Sequence, residues 1–123
     1  MARIFLAVIG VLYVLLAGYC AVLPEKAAKA VGFELRPGSG QSEFLTIYGG
    51  LELGLGILFL WPLFRPGEIS FPLLACLVVH GCLVLFRTAG FLLYRGIPPT
   101  TYYFAASEWV IFLGAAFVFW RKG

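Results

Sequence analysis

Four ionisable side chains lie inside stretches of the chain that are otherwise apolar. They are Glu52, His80, Arg87 and Glu108, each flanked by runs of Leu, Val, Ile, Phe and Gly. A charge at the centre of a bilayer costs about 2.5 to 3.5 kcal/mol on insertion scales, so such residues persist where they pair, line a cavity or do chemistry. In lipid, these residue types could form an ion pair, exchange a proton or bind the polar group of a ligand.

The composition of the chain indicates a membrane protein. Its 123 residues are 62% hydrophobic and only 12% charged, whereas soluble domains are roughly 45 to 50% apolar. Because about 20 apolar residues cross the hydrocarbon, four spans fit the chain, at residues 4–22, 44–63, 70–94 and 102–120. We therefore expect residues 1–123 to form a single transmembrane domain whose surroundings are the lipid bilayer.

The segments between the spans predict how the helices are arranged. Residues 25–35 place alanine, valine and leucine opposite lysine and glutamate at helical spacing, which predicts a short interfacial helix. The connections at residues 62–67 and 96–99 contain the prolines and glycines of tight turns. Since short turns make neighbouring helices antiparallel, we predict an all-α fold. It is an up-down-up-down bundle of four transmembrane helices, with the interfacial helix between the first and the second.

The lysines and arginines are equally divided between the two faces of this bundle. The side of the termini carries Arg3, Arg65, Arg121 and Lys122, and the other side carries Lys26, Lys29, Arg36 and Arg95. The N-terminal amine, and the position of Arg121 and Lys122 close to a span end, favour the first side as the positive, cytoplasmic one. We predict that both termini lie in the cytoplasm.

Three of the four ionisable residues are predicted to lie at one depth. At ~1.5 Å per residue, Glu52 lies roughly 12 Å below the start of the second span, and Glu108 roughly 9 Å below the start of the fourth. The third span runs the opposite way, so Arg87 lies roughly 10 Å below the same face. The matching depths predict that the Arg87 guanidinium bridges the two carboxylates.

His80 and Tyr48 complete the predicted ligand-binding site. His80 precedes Arg87 by seven residues, so it shares a helix face with Arg87 and lies roughly 10 Å deeper, at the floor of the same cavity. Tyr48 stands one turn above Glu52, near the mouth. Two carboxylates and one arginine leave one acid uncompensated, and that acid could exchange a proton.

The same residues also have purely structural interpretations. The three charges could act as a clip that fixes helix register, because interhelical polar contacts contribute ~0.6 to 2 kcal/mol without any ligand. His80 could be a hydrogen-bonded core histidine. In the glycine-rich run 48–56, Gly50 and Gly54 form a GxxxG pair of the kind that lets two helices approach closely.

The sequence lacks the residues that several other functions require. The nine basic residues form no cluster for nucleic acid. Repeated Glu-x-x-His pairs of a diiron bundle are absent, and one histidine cannot supply both axial ligands of a bis-histidine haem. We therefore expect no metal and no cofactor. No candidate nucleophile is adjacent to a candidate base, so we do not expect an enzyme, although a lipid-modifying enzyme stays open.

Several motifs of the chain occur together in one known family. They are the EFLTIYGGLELGLG run from Glu43 to Gly56, Pro24 after the first span, Arg87 with Gly90, and Glu108. Through them the chain resembles an uncharacterised bacterial family of small four-helix inner-membrane proteins, domain of unknown function 4345, and distantly the DoxX-like group. The resemblance implies this fold and an inner-membrane location, but no activity. DoxX-like proteins are linked to quinone or thiosulfate redox work, yet no redox centre is present to carry that function over.

Three functional hypotheses follow. In the first, the chain binds a small amphipathic, lipidic or quinone-like molecule: Arg87 holds an anionic or carbonyl group, Glu52 or Glu108 carries the exchangeable proton, and His80 closes the floor. In the second, it is an interaction protein, a homo-oligomer or an accessory subunit of a larger membrane complex, and glycines of the second span that face lipid would favour this. The third is a proton-coupled small-molecule transporter, which the absence of an acid from the first span disfavours.

Overall fold

The computed structural model describes residues 1–122, which form helices joined by short connections. The helices are α1 (Ala2–Val22), α2 (Pro24–Ala30), α3 (Ser39–Phe64), α4 (Ser70–Leu93) and α5 (Pro99–Lys122). A single 3₁₀ turn, Pro66–Glu68, precedes α4. No strand occurs among the described residues, and the predicted all-α fold is confirmed.

Four of the helices, α1, α3, α4 and α5, are long and apolar enough to cross a membrane. Each contains most or all of one predicted span. However, α3 begins at Ser39 rather than at residue 44, and α5 begins at Pro99 rather than at residue 102. The difference arises because apolarity marks only the part of a helix that sits in hydrocarbon, whereas backbone hydrogen bonds continue through polar first turns.

Helices α1 and α3 pack against each other at close range and form the first hairpin. A methyl group added at Gly10 would lie 2.6 Å from Cγ of Leu60, and one added at Gly56 would lie 2.8 Å from Cγ2 of Val14. Farther along, the same addition at Gly49 would approach Ala21 to 3.8 Å. Residue numbers therefore rise along α1 as they fall along α3, so the two helices are antiparallel.

Helices α4 and α5 form the second hairpin. Gly81 lies against Phe112, Arg87 pairs with Glu108, and Phe91 stacks on Tyr102 with ring centroids 4.6 Å apart. The numbers again run in opposite directions, so this pair is also antiparallel. Contacts within each hairpin are more extensive than contacts between the hairpins. The up-down alternation of all four spans across a bilayer stays a prediction.

An apolar core joins the two hairpins near the end of the bundle where α1 begins and α5 ends. All four long helices contribute to it: the buried residues are Leu6, Ile9, Tyr13, Phe59, Leu73, Cys76, Ala115 and Val118. Phe59 and Leu73 are fully buried at its centre. Burying one such side chain contributes about 1.5 to 3 kcal/mol relative to water, and in lipid the close packing itself holds the helices together.

Helix α2 covers part of the opposite end. Ala27 and Ala28 are buried against Cys20 of α1 and Phe44 of α3. The predicted short helix after the first span is therefore present, but its predicted extent, residues 25–35, is too long, because α2 ends at Ala30. Gly32 follows with a φ of 91°, a backbone conformation that glycine adopts without steric cost and that ends the helix. That α2 lies at the membrane interface stays a prediction.

Candidate functional site

Arg87 and Glu108 form a bidentate ion pair between α4 and α5. Nε of Arg87 donates to Oε1 of Glu108 at 2.9 Å, and Nη2 donates to Oε2 at 2.7 Å. The two side chains retain 32% and 14% of their accessible surface. Two parallel charge-assisted hydrogen bonds fix both the distance and the relative orientation of the groups. Their matching depth had been predicted, and the structure brings them together.

Glu52 lies outside this pair, contrary to the expectation that Arg87 bridges both carboxylates. Within residues 1–122, Arg87 pairs with Glu108 and not with Glu52. The reason is the hairpin arrangement, since Glu108 is on the helix adjacent to Arg87 and occupies two of its nitrogens, whereas Glu52 belongs to the other hairpin. Glu52 and Glu108 are nevertheless within electrostatic range of each other.

The Glu52 carboxyl group is incompletely hydrogen-bonded. Its Oε2 atom is buried, and no donor within the described chain reaches it. Buried polar atoms in folded proteins are nearly always paired, and an unpaired one costs more in a low-dielectric medium than in water. Glu52 therefore presents an acceptor, or when protonated a donor, that the described chain leaves unused.

A π-helical segment, Leu45–Leu51, precedes Glu52 within α3. The hydrogen bonds of a π-helix span five residues instead of four, and such segments occur frequently at functional sites. Gly49 and Gly50 lie in it, and Gly49 is buried against α1. The widened turns rotate the residues before the segment relative to those after it. The sequence analysis did not predict this segment, because apolar periodicity does not distinguish π from α hydrogen bonding.

Tyr48 lies inside the π-helical segment and is half-buried. Its ring stacks on Phe44 with centroids 4.5 Å apart, and Phe33 meets its edge at 5.9 Å. It precedes Glu52 by four residues on α3. Tyr48 therefore lies between the α2 end of the bundle and the charged residues. That it forms the mouth of a ligand site stays a prediction.

His80 is fully buried, and both of its ring nitrogens have partners. Nδ1 lies 2.7 Å from the carbonyl oxygen of Cys76, and because a carbonyl only accepts, Nδ1 carries the hydrogen. The Tyr13 hydroxyl lies 2.7 Å from Nε2, which accepts a hydrogen bond from it when the imidazole is neutral. The rings of Tyr13 and Phe59 enclose the imidazole. This is the geometry of a core histidine, the structural alternative given above.

Tyr13 was not predicted as the partner of His80. Tyr13 is the only side chain with a polar group between residues 4 and 18. A buried tyrosine hydroxyl usually requires a hydrogen-bond partner, so this isolated position was the available signal.

We expect Tyr13→Phe to reduce the free energy of unfolding by about 1 to 2 kcal/mol, because it leaves Nε2 of the buried His80 without a donor. Chemical denaturation of the purified protein in detergent measures the loss. Tyr19→Phe is the matched control, since Tyr19 is on the same helix, exposed, and expected to change stability by less than about 0.5 kcal/mol. Equal effects of the two substitutions would contradict the hydrogen-bond assignment.

Two surface grooves lie elsewhere on the bundle. One, of about 420 Å³, is lined by Trp61, Glu68, Phe71 and their neighbours. The other, of about 440 Å³, runs along α4 and α5 past Thr88 and Trp109. Neither groove is lined by a residue of the predicted site, so the predicted pocket corresponds to neither of them.

The described residues contain no group of three or more histidine, cysteine, aspartate or glutamate side chains placed to hold a metal ion. The cysteines are unpaired thiols, of which Cys20 and Cys76 are buried and Cys82 is exposed. The charged residues can form ion pairs and hydrogen bonds and can exchange protons.

Four long apolar helices, with a bidentate ion pair and an incompletely bonded carboxyl group among them, define a helical membrane protein. The chain belongs to the family described as Domain of unknown function (DUF4345), whose model matches residues 1–120. No curated protein and no solved structure matches the chain. The membership confirms the family resemblance, whereas the distant DoxX-like relationship and the bacterial origin stay predictions.

Proposed function

We propose that this protein resides in a bacterial inner membrane with both termini in the cytoplasm, and that it binds a small amphipathic or lipidic molecule beside Glu52, Arg87, Glu108 and Tyr48. The observation that carries the proposal is the buried Oε2 of Glu52, which has no donor within residues 1–122. A bundle in which charges serve only as a clip would pair this atom, because an unpaired carboxyl oxygen in lipid is costly. A bound molecule that donates to it removes that cost.

Arg87 and Tyr48 support the same assignment. The ion pair uses Nε and Nη2 of Arg87, which leaves Nη1 to donate to an oxygen of the ligand. The Tyr48 ring, held by Phe44, supplies an apolar wall on the α2 side. A polar group that donates a hydrogen bond, carried on an apolar body, satisfies Glu52, and an acceptor elsewhere in the molecule satisfies Nη1 of Arg87.

His80 has a different role in this proposal from the one that it had in the ligand-binding hypothesis based on the sequence. Both of its nitrogens are engaged by Tyr13 and Cys76, so a ligand would have to break a hydrogen bond to reach it. We propose that His80 stabilises the core beneath the site and does not contact the ligand.

Native mass spectrometry of the protein released from mild detergent tests the binding proposal. We expect the wild type to retain one small molecule per chain, and Glu52→Gln to lose it, because an amide does not replace the carboxylate as a charged acceptor. Glu43→Gln is the control: it removes an exposed acid of the same helix and is expected to retain the molecule. A bare chain in all three samples, or retention that does not depend on Glu52, would refute the proposal.

The second candidate is an interaction protein whose contact surface lies on α3. Methyl groups added at Gly50 and Gly54 would meet no atom of residues 1–122 within 4 Å, so this GxxxG pair faces outward. Outward small residues let a helix of a second molecule approach closely. The same mass spectra test this alternative. It is favoured if the wild type forms a defined oligomer with no small molecule bound and if Gly50→Leu converts that oligomer to a monomer.

A further inference from the structure

We propose that the group held beside Glu52 is cationic, the protonated amine of a lipophilic molecule, and that the site disfavours anions. This inference rests on the proposed binding function and narrows its ligand class. It departs from the sequence-based expectation that Arg87 would hold an anionic group. Three features of the structure carry it.

The first feature is the bidentate ion pair between Arg87 and Glu108. Arg87 is neutralised by Glu108 through two hydrogen bonds of 2.9 and 2.7 Å, so its charge is not available to balance an anionic ligand. Glu52 is then the one charged group of the site without an opposite charge beside it. When Glu52 is ionised, one arginine and two glutamates leave a single negative charge, which in a low-dielectric medium attracts cations and repels anions.

The second feature is the unpaired oxygen of Glu52. Its Oε2 atom is buried and lacks a donor within the described chain. An ammonium group supplies up to three N–H donors and a full positive charge, and the resulting charge-assisted hydrogen bond is roughly twice as strong as a neutral one. An alcohol supplies one donor and leaves the charge uncompensated. A carboxylate supplies none.

The third feature is the aromatic surface beside the charges. Tyr48 precedes Glu52 by four residues on α3, and its ring belongs to a cluster with Phe33 and Phe44. Aromatic faces attract ammonium groups, most strongly where water is excluded. They also accept the apolar body of an amphipathic amine.

Three probes with the same alkyl chain test the inference: dodecylamine, dodecanol and dodecanoate. Each is titrated at neutral pH into the delipidated protein in an uncharged detergent, and binding is read by native mass spectrometry. We expect dodecylamine to bind roughly 10- to 100-fold more tightly than dodecanoate, with dodecanol between them. Glu52→Gln should abolish the preference for the amine. Glu52→Asp, which keeps the charge, and Glu43→Gln should retain the preference.

The outcomes separate this inference from the function on which it rests. If dodecanoate binds as tightly as dodecylamine or more tightly, the charge assignment is wrong, while ligand binding at Glu52 stands. If no probe binds but a molecule co-purifies in a Glu52-dependent manner, the ligand class is wrong and the proposed function stands. If no probe binds and nothing co-purifies, both are wrong.

Discussion

Glu108→Gln and Arg87→Leu are each expected to lower the free energy of unfolding by about 3 kcal/mol, and the double substitution to recover most of that loss. Each single change leaves one partner of the ion pair charged and unpaired among apolar helices, which is strongly destabilising, whereas removing both charges is close to neutral. Denaturation of the four proteins in detergent gives the coupling energy as a double-mutant cycle.

The chain offers a matched control for this cycle. Arg65 and Glu68 form an ion pair at 4.0 Å, with 66% and 57% of their side-chain surface exposed. An exposed pair of this kind contributes about 0 to 1 kcal/mol, so the corresponding cycle should show little coupling. Additive losses at Arg87 and Glu108 would contradict the role of their contact in stability.

Gly56→Leu is expected to destabilise the protein by about 3 kcal/mol or more. The first added carbon would lie 2.8 Å from the Val14 side chain and 3.1 Å from the backbone oxygen of Gly10. The α1 backbone cannot move away without separating the first hairpin, and overpacking of a closed contact costs about 1 to 3 kcal/mol, occasionally more. Thermal or chemical unfolding in detergent measures the change.

Gly18→Leu provides the comparison for Gly56→Leu. A carbon added at Gly18 on α1 would meet no atom of the described chain within 4 Å. The substitution should be neutral or slightly stabilising, since replacing glycine inside a helix gains about 0.5 to 1 kcal/mol. Similar losses of stability for the two variants would contradict the close contact between α1 and α3.

Apolar runs and helix rise predicted the spans and the depth of Arg87 and Glu108 from sequence alone, because both depend only on distance along a helix. They did not predict which acid pairs with Arg87, because depth carries no information on which helices become neighbours. Because α4 packs on α5, Arg87 pairs with Glu108.

His80 and the glycines also show that sequence spacing does not reveal which helices become neighbours. His80 precedes Arg87 by seven residues on α4, yet it is hydrogen-bonded to Tyr13 of a helix remote in sequence. Gly10 and Gly56 pack inside the chain, whereas Gly50 and Gly54 face outward. Glycine spacing alone does not reveal which face meets a neighbour. The π-helical segment Leu45–Leu51 leaves no periodic signature either.

An experimental structure of the wild-type protein in nanodiscs of its native lipid would show whether a small molecule binds at Glu52. We expect density for one small molecule in contact with the Glu52 carboxyl group, within reach of Nη1 of Arg87 and beside the Tyr48 ring. A bundle in which the Glu52 carboxyl group is paired within the protein itself, with no density beside it, would contradict the claim that this residue binds a ligand.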